Sequence, residues 1–197
     1  MPVEKSALKE EFLFNHAELE RVAERNKANV DNMEILANLM GPEASDITED
    51  ELGNLLVGAL AAEIQFNPSQ GVLDEILSSG KLGMFRNQDL RFALSSWSGQ
   101  LYRLRLKEQE LSRLRYRTID KVRNEGNLRM THGSWIEETG IKRSRFKNGN
   151  LDLLSSSSFE GHLVGAALMS LNLHNYHFPS MDEEIDRILL LIDEEIE

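Results

Sequence analysis

Residues 88–125 read QDLRFALSSWSGQLYRLRLKEQELSRLRYRTIDKVRNE, and this stretch decides the fold. Apolar residues recur along it at a mean spacing of about 3.5 residues, which places them on one face of a helix. The positions on that face are Leu90, Leu94, Trp97, Leu101, Leu104, Glu108, Leu111, Arg115, Thr118 and Val122. Asn87 can cap the first turn, and Gly126 follows the last residue. The pattern predicts a single long helix whose apolar face has a polar break near its middle.

A second long segment, about residues 4–40, has the same character. Its apolar face comprises Leu8, Phe12, Asn15, Leu19, Val22, Asn26, Asn29, Met33, Leu36 and Met40. Seven of these ten residues are apolar, which favours a packed helix–helix contact. Gly41-Pro42 is a strong helix stop and marks the end of the segment.

Four shorter helices are predicted at about 48–61, 70–79, 159–176 and 181–196. Thr48 and Glu51 have the spacing of a capping box, and Ser180 and Glu183 repeat it. Pro179 is expected to break the chain between the last two helices. We therefore predict an all-α fold, an elongated helical bundle formed by one domain over residues 1–197.

Composition excludes some kinds of site. The chain has 197 residues, 41% of them hydrophobic, and no cysteine, so disulfides, thiolate metal sites and cysteine nucleophiles are ruled out. Its net charge is −11, although residues 88–125 hold nine Lys or Arg against five acids. Acidic elements packing beside this basic helix explain the asymmetry, and the overall acidity argues against a nucleic-acid partner.

The polar breaks are the first candidate site. Asn26 and Asn29 interrupt the first long helix, and Glu108 and Arg115 interrupt the second. Buried polar groups need partners, so we expect these four to satisfy one another and fix the register of the two helices. A small-ligand site between the helices is the alternative.

A second candidate is a surface site comprising Lys81, Arg86, Arg91 and Trp97, although a Trp on the apolar face usually lies in the core. His174 and His177, with His162 upstream, lack a metal-binding spacing, and no metal or other cofactor is expected. His16 and His132 have no evident partner in the sequence.

Two further functions were weighed. Residues 134–149, SWIEETGIKRSRFKNG, have a superficial likeness to a helix-turn-helix, which would make the protein a DNA-binding regulator using Lys142, Arg143, Arg145 and Lys147. A solvated basic loop fits the segment better. No nucleophile elbow, phosphate-binding loop or dinucleotide-binding motif is present, so an enzyme is not predicted, and a metal-dependent hydrolase is kept only as an alternative.

The stretch LDEILSSGKLGMFRNQDLRFALSSWSGQLYRL, residues 73–104, is the most distinctive in the chain. It resembles an uncharacterised family of small bacterial single-pass membrane proteins, and LKEEFLFNHAEL at residues 8–19 and the last forty or so residues are similar to that family too. The resemblance implies a transmembrane helix upstream, which this sequence lacks, followed by an extracytoplasmic, periplasmic helical domain. A cytoplasmic location stays open. The family has no established activity from which site residues could be assigned.

The resemblance and the absence of catalytic motifs lead to one functional expectation. The chain is predicted to be a non-enzymatic domain of a membrane-anchored bacterial protein, used for sensing or for protein interaction. Its partner would be a protein or a small molecule, and a homo-oligomer is left open.

Overall fold

The protein is described by a computed structural model that covers residues 2–43, 46–131, 140–142 and 144–196. The α-helices are α1 (Pro2–Leu39), α2 (Glu49–Leu60), α3 (Gly71–Ser78), α4 (Gln88–Glu125), α5 (Ser157–Asn172) and α6 (Phe178–Ile196). Short 3₁₀ turns lie at Lys81–Met84, Leu128–Met130 and Leu151–Ser155, and a π-helical turn at Leu173–His177 joins α5 to α6. The described residues contain no strand.

The all-α helical bundle and its two long helices are confirmed. The predicted bounds of α2 and α3 agree with the structure to within one residue at each end. Thr48 and Glu51 form the predicted capping box at the start of α2. The Asn87 side chain accepts from the backbone N–H groups of Asp89, at 2.9 Å, and Leu90, at 3.3 Å, and so caps α4.

The predicted break at Pro179 is wrong. Helical backbone continues from α5 through the π-turn into α6, which begins at Phe178. Pro179 therefore lies in the first turn of α6, where its missing N–H removes no hydrogen bond of the new helix. The extra residue of a π-turn adjusts the register of the backbone at this point. Ser180 lies inside α6, so it is not an N-cap.

The backbone groups into two compact units. Unit 1 comprises Met1–Glu24, Gln65–Glu108 and Leu173–Glu197, and therefore holds α3, α6 and the first parts of α1 and α4. Its core contains Leu8, Phe12, Phe66, Leu73, Ile76, Phe85, Leu94, Trp97, Ile185 and Ile188, each at most 2% exposed. The Phe12 and Trp97 rings pack edge to face with centroids 5.1 Å apart, a favourable aromatic geometry.

Unit 2 comprises Arg25–Ile64 and Gln109–Asn172, and holds α2, α5 and the later parts of α1 and α4. Its core is a cluster of Met33, Leu36, Leu52, Leu56, Ala59, Leu60, Val122, Leu153, Leu154, Phe159, Leu163 and Ala166. Burial of these apolar side chains is the main force that holds the unit together. Both long helices thus contribute their predicted apolar face to a core.

Candidate functional site

The four residues of the predicted polar layer are all buried. Asn26 is 0% exposed, Asn29 and Glu108 are 3% exposed, and Arg115 is 5% exposed. Each therefore requires a hydrogen-bond partner within the protein. The structure supplies partners from the backbone of shorter segments, so the mutual pairing expected from the sequence is replaced by a different arrangement.

In unit 1, Glu108 binds the segment that precedes α3. Its carboxylate accepts from the backbone N–H of Phe66 at 2.7 Å and from Arg105 Nη1 at 2.8 Å. Arg105 Nη2 donates to the carbonyl of Phe66 at 2.8 Å. Burial raises the pKa of Glu108 to about 7, although the Phe66 N–H and the Arg105 charge oppose that shift. Glu108 and Arg105 thus satisfy the backbone N–H and the backbone carbonyl of Phe66.

In unit 2, the polar residues satisfy carbonyl groups at helix ends. Arg115 Nη1 donates to the carbonyls of Leu60, at 2.7 Å, and Ala61, at 3.4 Å, at the end of α2. The side-chain amide of Asn29 donates to the Ala62 carbonyl at 3.3 Å, and that of Asn26 donates to the Ser170 carbonyl at 2.9 Å, near the end of α5. Arg115 and Asn29 are C-terminal caps of α2, because they bind carbonyls at and just after its last turn, whereas Asn26 binds a carbonyl where helical backbone continues into the π-turn.

Two buried carboxylates that the sequence analysis missed accept from backbone N–H groups where helices begin. Glu11, 6% exposed, accepts from the backbone N–H groups of Val72 and Leu73 at 2.9 Å, in the first turn of α3. Glu195, 8% exposed, accepts from the backbone N–H groups of Arg86 and Asn87 at 2.9 and 2.8 Å, just before α4.

The environment of Glu195 stabilises its charged form. Burial by itself would raise the pKa of this carboxyl, but the two backbone N–H groups and the ammonium of Lys5, 3.0 Å away, lower it to about 2. Glu195 follows Ile185, Ile188 and Ile192 on the apolar side of α6. Ile196, the next residue, is 49% exposed although it is apolar.

The predicted surface site at Lys81, Arg86, Arg91 and Trp97 does not form one site. Trp97 is 0% exposed and belongs to the core of unit 1. The Arg86 side chain is 91% exposed, whereas Lys81 pairs with Glu75 at 3.2 Å and Arg91 is half-buried. The indole N–H of Trp97 is buried and makes no hydrogen bond within the described residues, although a buried Trp N–H usually finds a partner.

His16 has partners that the sequence did not indicate. Its Nε2 lies 3.3 Å from Asp182 Oδ1 and 3.6 Å from Asp186 Oδ1, both on α6. The other ring nitrogen, Nδ1, lies 3.9 Å from Glu20. Among the residues that the structure describes, His16, Asp182 and Asp186 form the one group of side chains close enough together to hold a metal ion.

A cavity of about 200 Å³ lies beside this group in unit 1. It is lined by Leu19, Glu20 and Ala23 from α1, and by His174, Phe178, Pro179 and Asp182 from the π-turn and α6. His174 Nδ1 and Asp182 Oδ1 are buried atoms that make no hydrogen bond with the described part of the chain, although Asp182 Oδ1 lies 3.3 Å from His16 Nε2. His174 thus lies beside a cavity in unit 1, while His162 belongs to unit 2.

The solvent side of α4 in unit 1 is apolar where a polar surface is expected. Phe92 is 67% exposed, Tyr102 63% and Leu106 46%. Their spacing places all three on one side of the helix, with Gly99 between them. A Cβ added to Gly99 would meet nothing within 4 Å, so no contact within the described structure requires a glycine there.

Part of the helix-turn-helix-like segment, residues 134–139 and Arg143, lies outside the described residues. Within residues 140–142 and 144–149 the backbone forms a turn, bends and irregular structure and contains no helix. Lys142, Arg145 and Lys147 are exposed in this stretch, as a solvated loop requires.

No family model, curated protein or solved structure matches this chain. None of the helices in the described residues combines the length and apolar character that crossing a bilayer would need.

Proposed function

We propose that this protein is a non-enzymatic sensing or protein-interaction domain, and that it binds an acidic, amphipathic helix on the exposed face of α4 in unit 1. The observation that carries the proposal is the row of exposed apolar side chains at Phe92, Tyr102 and Leu106. Exposed apolar patches are typical of binding surfaces, and aromatic residues are enriched at the centre of protein interfaces.

Charge favours an acidic partner. Arg103 and Lys107 flank the apolar row on one side, both exposed, and Arg91 lies on the other. Residues 88–108 of α4 carry only two acids, Asp89 and the buried Glu108. Such a surface attracts a negatively charged segment and directs its orientation.

Gly99 supports close packing of a helix at this position. A glycine inside a helix costs about 1 kcal/mol relative to alanine, and no neighbour in the described structure accounts for its presence. A gap in the row of side chains lets the backbone of a partner approach, as small residues do at helix–helix contacts. The partner helix would place its apolar side chains between Phe92 and Tyr102.

Photo-crosslinking in the native host tests this proposal. A photoreactive phenylalanine analogue at Phe92 should give a discrete adduct whose crosslinked segment is acidic and amphipathic. Gly99→Leu fills the gap and should abolish the adduct while the protein stays folded. Gln100→Leu adds the same side chain on a side of α4 that faces away from Tyr102, and should leave the adduct intact. An adduct that survives Gly99→Leu, or no adduct at all, would refute the proposal.

We also propose that the domain is displayed on the extracytoplasmic face of a bacterial membrane. The support is the resemblance of residues 73–104 to the single-pass membrane family. Protease added to intact spheroplasts of the native host should then degrade the domain without lysis. Protection until the inner membrane is disrupted would place it in the cytoplasm.

A further inference from the structure

The group His16, Asp182 and Asp186 has the geometry of a metal site. The two aspartates are four residues apart on α6 and therefore lie on one side of that helix. One ligand atom from each of the three residues lies within 4.8 Å of the others. A bond length of about 2.1 Å separates neighbouring ligand atoms by about 3.0 Å in octahedral and about 3.4 Å in tetrahedral coordination. The distances of 3.3 and 3.6 Å from His16 to the two carboxylates are close to these values.

The electrostatics of the group favour a cation. Asp182 and Asp186 face His16 from α6, and Glu20 faces it from α1, so three acidic groups lie near its ring nitrogens. Basic side chains of the same two helices pair with other acids: Arg187 with Glu184, Arg21 with Glu18 and Lys9 with Asp193. Burial raises the pKa of Asp182, and the charges of Asp186, Glu20 and Glu183 raise it further, while His16 opposes the shift.

The neighbouring cavity gives independent support. Asp182 lines it, and so does Glu20, which lies near the other ring nitrogen of His16. Asp182 Oδ1 is a buried atom that lies 3.3 Å from His16 Nε2 but makes no hydrogen bond within the described residues. His174 Nδ1, on the π-turn, is a second buried atom at the same cavity that makes no hydrogen bond in the described structure. Single π-turns often occur at functional sites.

We propose that His16, Asp182 and Asp186 bind a divalent transition-metal cation, Zn²⁺ or Mn²⁺, with the cavity open to its remaining coordination positions. Imidazole nitrogen is a better ligand for these ions than for Ca²⁺ or Mg²⁺, and the two carboxylates supply the negative charge that offsets the cation. The ion would join α1 to α6 within unit 1. This site does not depend on the proposed docking surface of α4.

Calorimetric titration of the purified, metal-free full chain with Zn²⁺ and with Mn²⁺ tests the site. We expect about one equivalent to bind, with a rise in the midpoint of thermal unfolding that grows with metal concentration. Asp186→Asn and His16→Gln should each weaken binding at least tenfold, because a ligand is lost while the size of the side chain is nearly kept. Co²⁺ should give a visible absorption spectrum that reports nitrogen and oxygen ligands and disappears in His16→Gln.

Glu183→Gln is the matched control. It removes the same charge from the residue next to Asp182, at an exposed position, and should leave affinity almost unchanged. Equal weakening by Glu183→Gln would show that the ion responds only to net charge and would overturn the site. The absence of saturable binding by either metal would overturn it as well. Either result would leave the crosslinking test at Phe92 unaffected.

Discussion

Unit 1 and unit 2 use buried charged and polar side chains on opposite ends of helices. In unit 1, Glu11 and Glu195 are buried carboxylates that accept from backbone N–H groups at the starts of α3 and α4. In unit 2, Arg115 and Asn29 are buried donors that bind backbone carbonyls at and just after the end of α2. These buried anions of unit 1 therefore lie at helix N-termini, and these buried donors of unit 2 lie at a helix C-terminus.

The contrast follows from the helix dipole and from unsatisfied backbone groups. N-terminal N–H groups carry partial positive charge and C-terminal carbonyls carry partial negative charge, so each end selects a side chain of the opposite kind. A side chain from another helix can fill this role where the local sequence does not. Gln70 precedes α3 without capping it, and Glu11 of α1 supplies the missing acceptor. Glu11 and Arg115 of the long helices thus satisfy backbone groups where α3 begins and where α2 ends.

Glu195→Ala tests the role of anions in unit 1 and should have the largest effect. It leaves two backbone N–H groups without their acceptor and removes the carboxylate that pairs with Lys5, so we expect a loss of about 4 kcal/mol in the free energy of unfolding. Urea denaturation measures this loss, and faster amide exchange at Arg86 and Asn87 locates it. Glu194→Ala, its exposed neighbour, should cost below about 0.5 kcal/mol. A loss in Glu195→Ala no greater than in this control would show that the carboxylate does not hold the start of α4.

Glu108 should make unit 1 respond to pH in the direction opposite to Glu195. The folded protein keeps a proton on Glu108 up to about pH 7, whereas the unfolded chain releases it near 4.5, so raising the pH between these values favours unfolding. The raised pKa is equivalent to about 3 kcal/mol. Glu195 instead loses its contribution as the pH falls from 4.5 towards 2.

Glu108→Gln should therefore gain about 3 kcal/mol relative to the wild type between pH 4.5 and pH 8, measured by urea denaturation across that range. Glu110→Gln changes a carboxylate on the same helix whose side chain is 42% exposed, and should show no such slope. Parallel curves for the wild type and Glu108→Gln would mean that the carboxylate is ionised throughout this range in the folded state.

The sequence predicted the helices better than it predicted the hydrogen-bond partners of their buried polar side chains. The apolar faces of α1 and α4 were read correctly because periodicity reports burial directly, and Trp97 was expected in the core on the same ground. The partners of Asn26 and Glu108 could not be read in this way. They are backbone groups of Ser170 and Phe66, which are distant in the chain. Nearly every residue carries the same backbone groups, so the sequence does not indicate which of them a buried side chain will bind.

Two errors have local causes. An acid such as Glu195 does not add to an apolar pattern, although its spacing from Ile188 and Ile192 places it on the buried side of α6. Pro179 predicts a helix break, whereas the π-turn at Leu173–His177, through which helical backbone continues into α6, has no signal in the sequence. The group of His16, Asp182 and Asp186 could not be predicted from the sequence, because these residues come together only when α6 packs against α1.

Arg115→Met tests the use of donors in unit 2. Met retains the apolar stem but leaves the carbonyls of Leu60 and Ala61 without their donor, and we expect a loss of about 2 kcal/mol in the free energy of unfolding. Arg113→Met, two residues away, breaks an exposed pair with Glu110 and should cost below about 0.5 kcal/mol. Equal losses in these two variants would show that the hydrogen bonds of Arg115 do not stabilise the end of α2.

Asn26→Leu should have the smallest effect on the free energy of unfolding. It tests whether a buried neutral donor contributes to stability. The variant loses the hydrogen bond to the Ser170 carbonyl, but it also removes Asn26 Oδ1, which is buried without a partner. Losing the hydrogen bond costs about 1 kcal/mol, but removing the unsatisfied Oδ1 avoids the cost of burying that atom. The free energy of unfolding should therefore change by less than about 1 kcal/mol. A loss above about 2 kcal/mol would mean that Oδ1 has a partner, and a buried water bridging it to a neighbouring polar group is the simplest one. Asn26 would then anchor a hydrated contact in unit 2, and the separation between anions in one unit and donors in the other would no longer hold at this position.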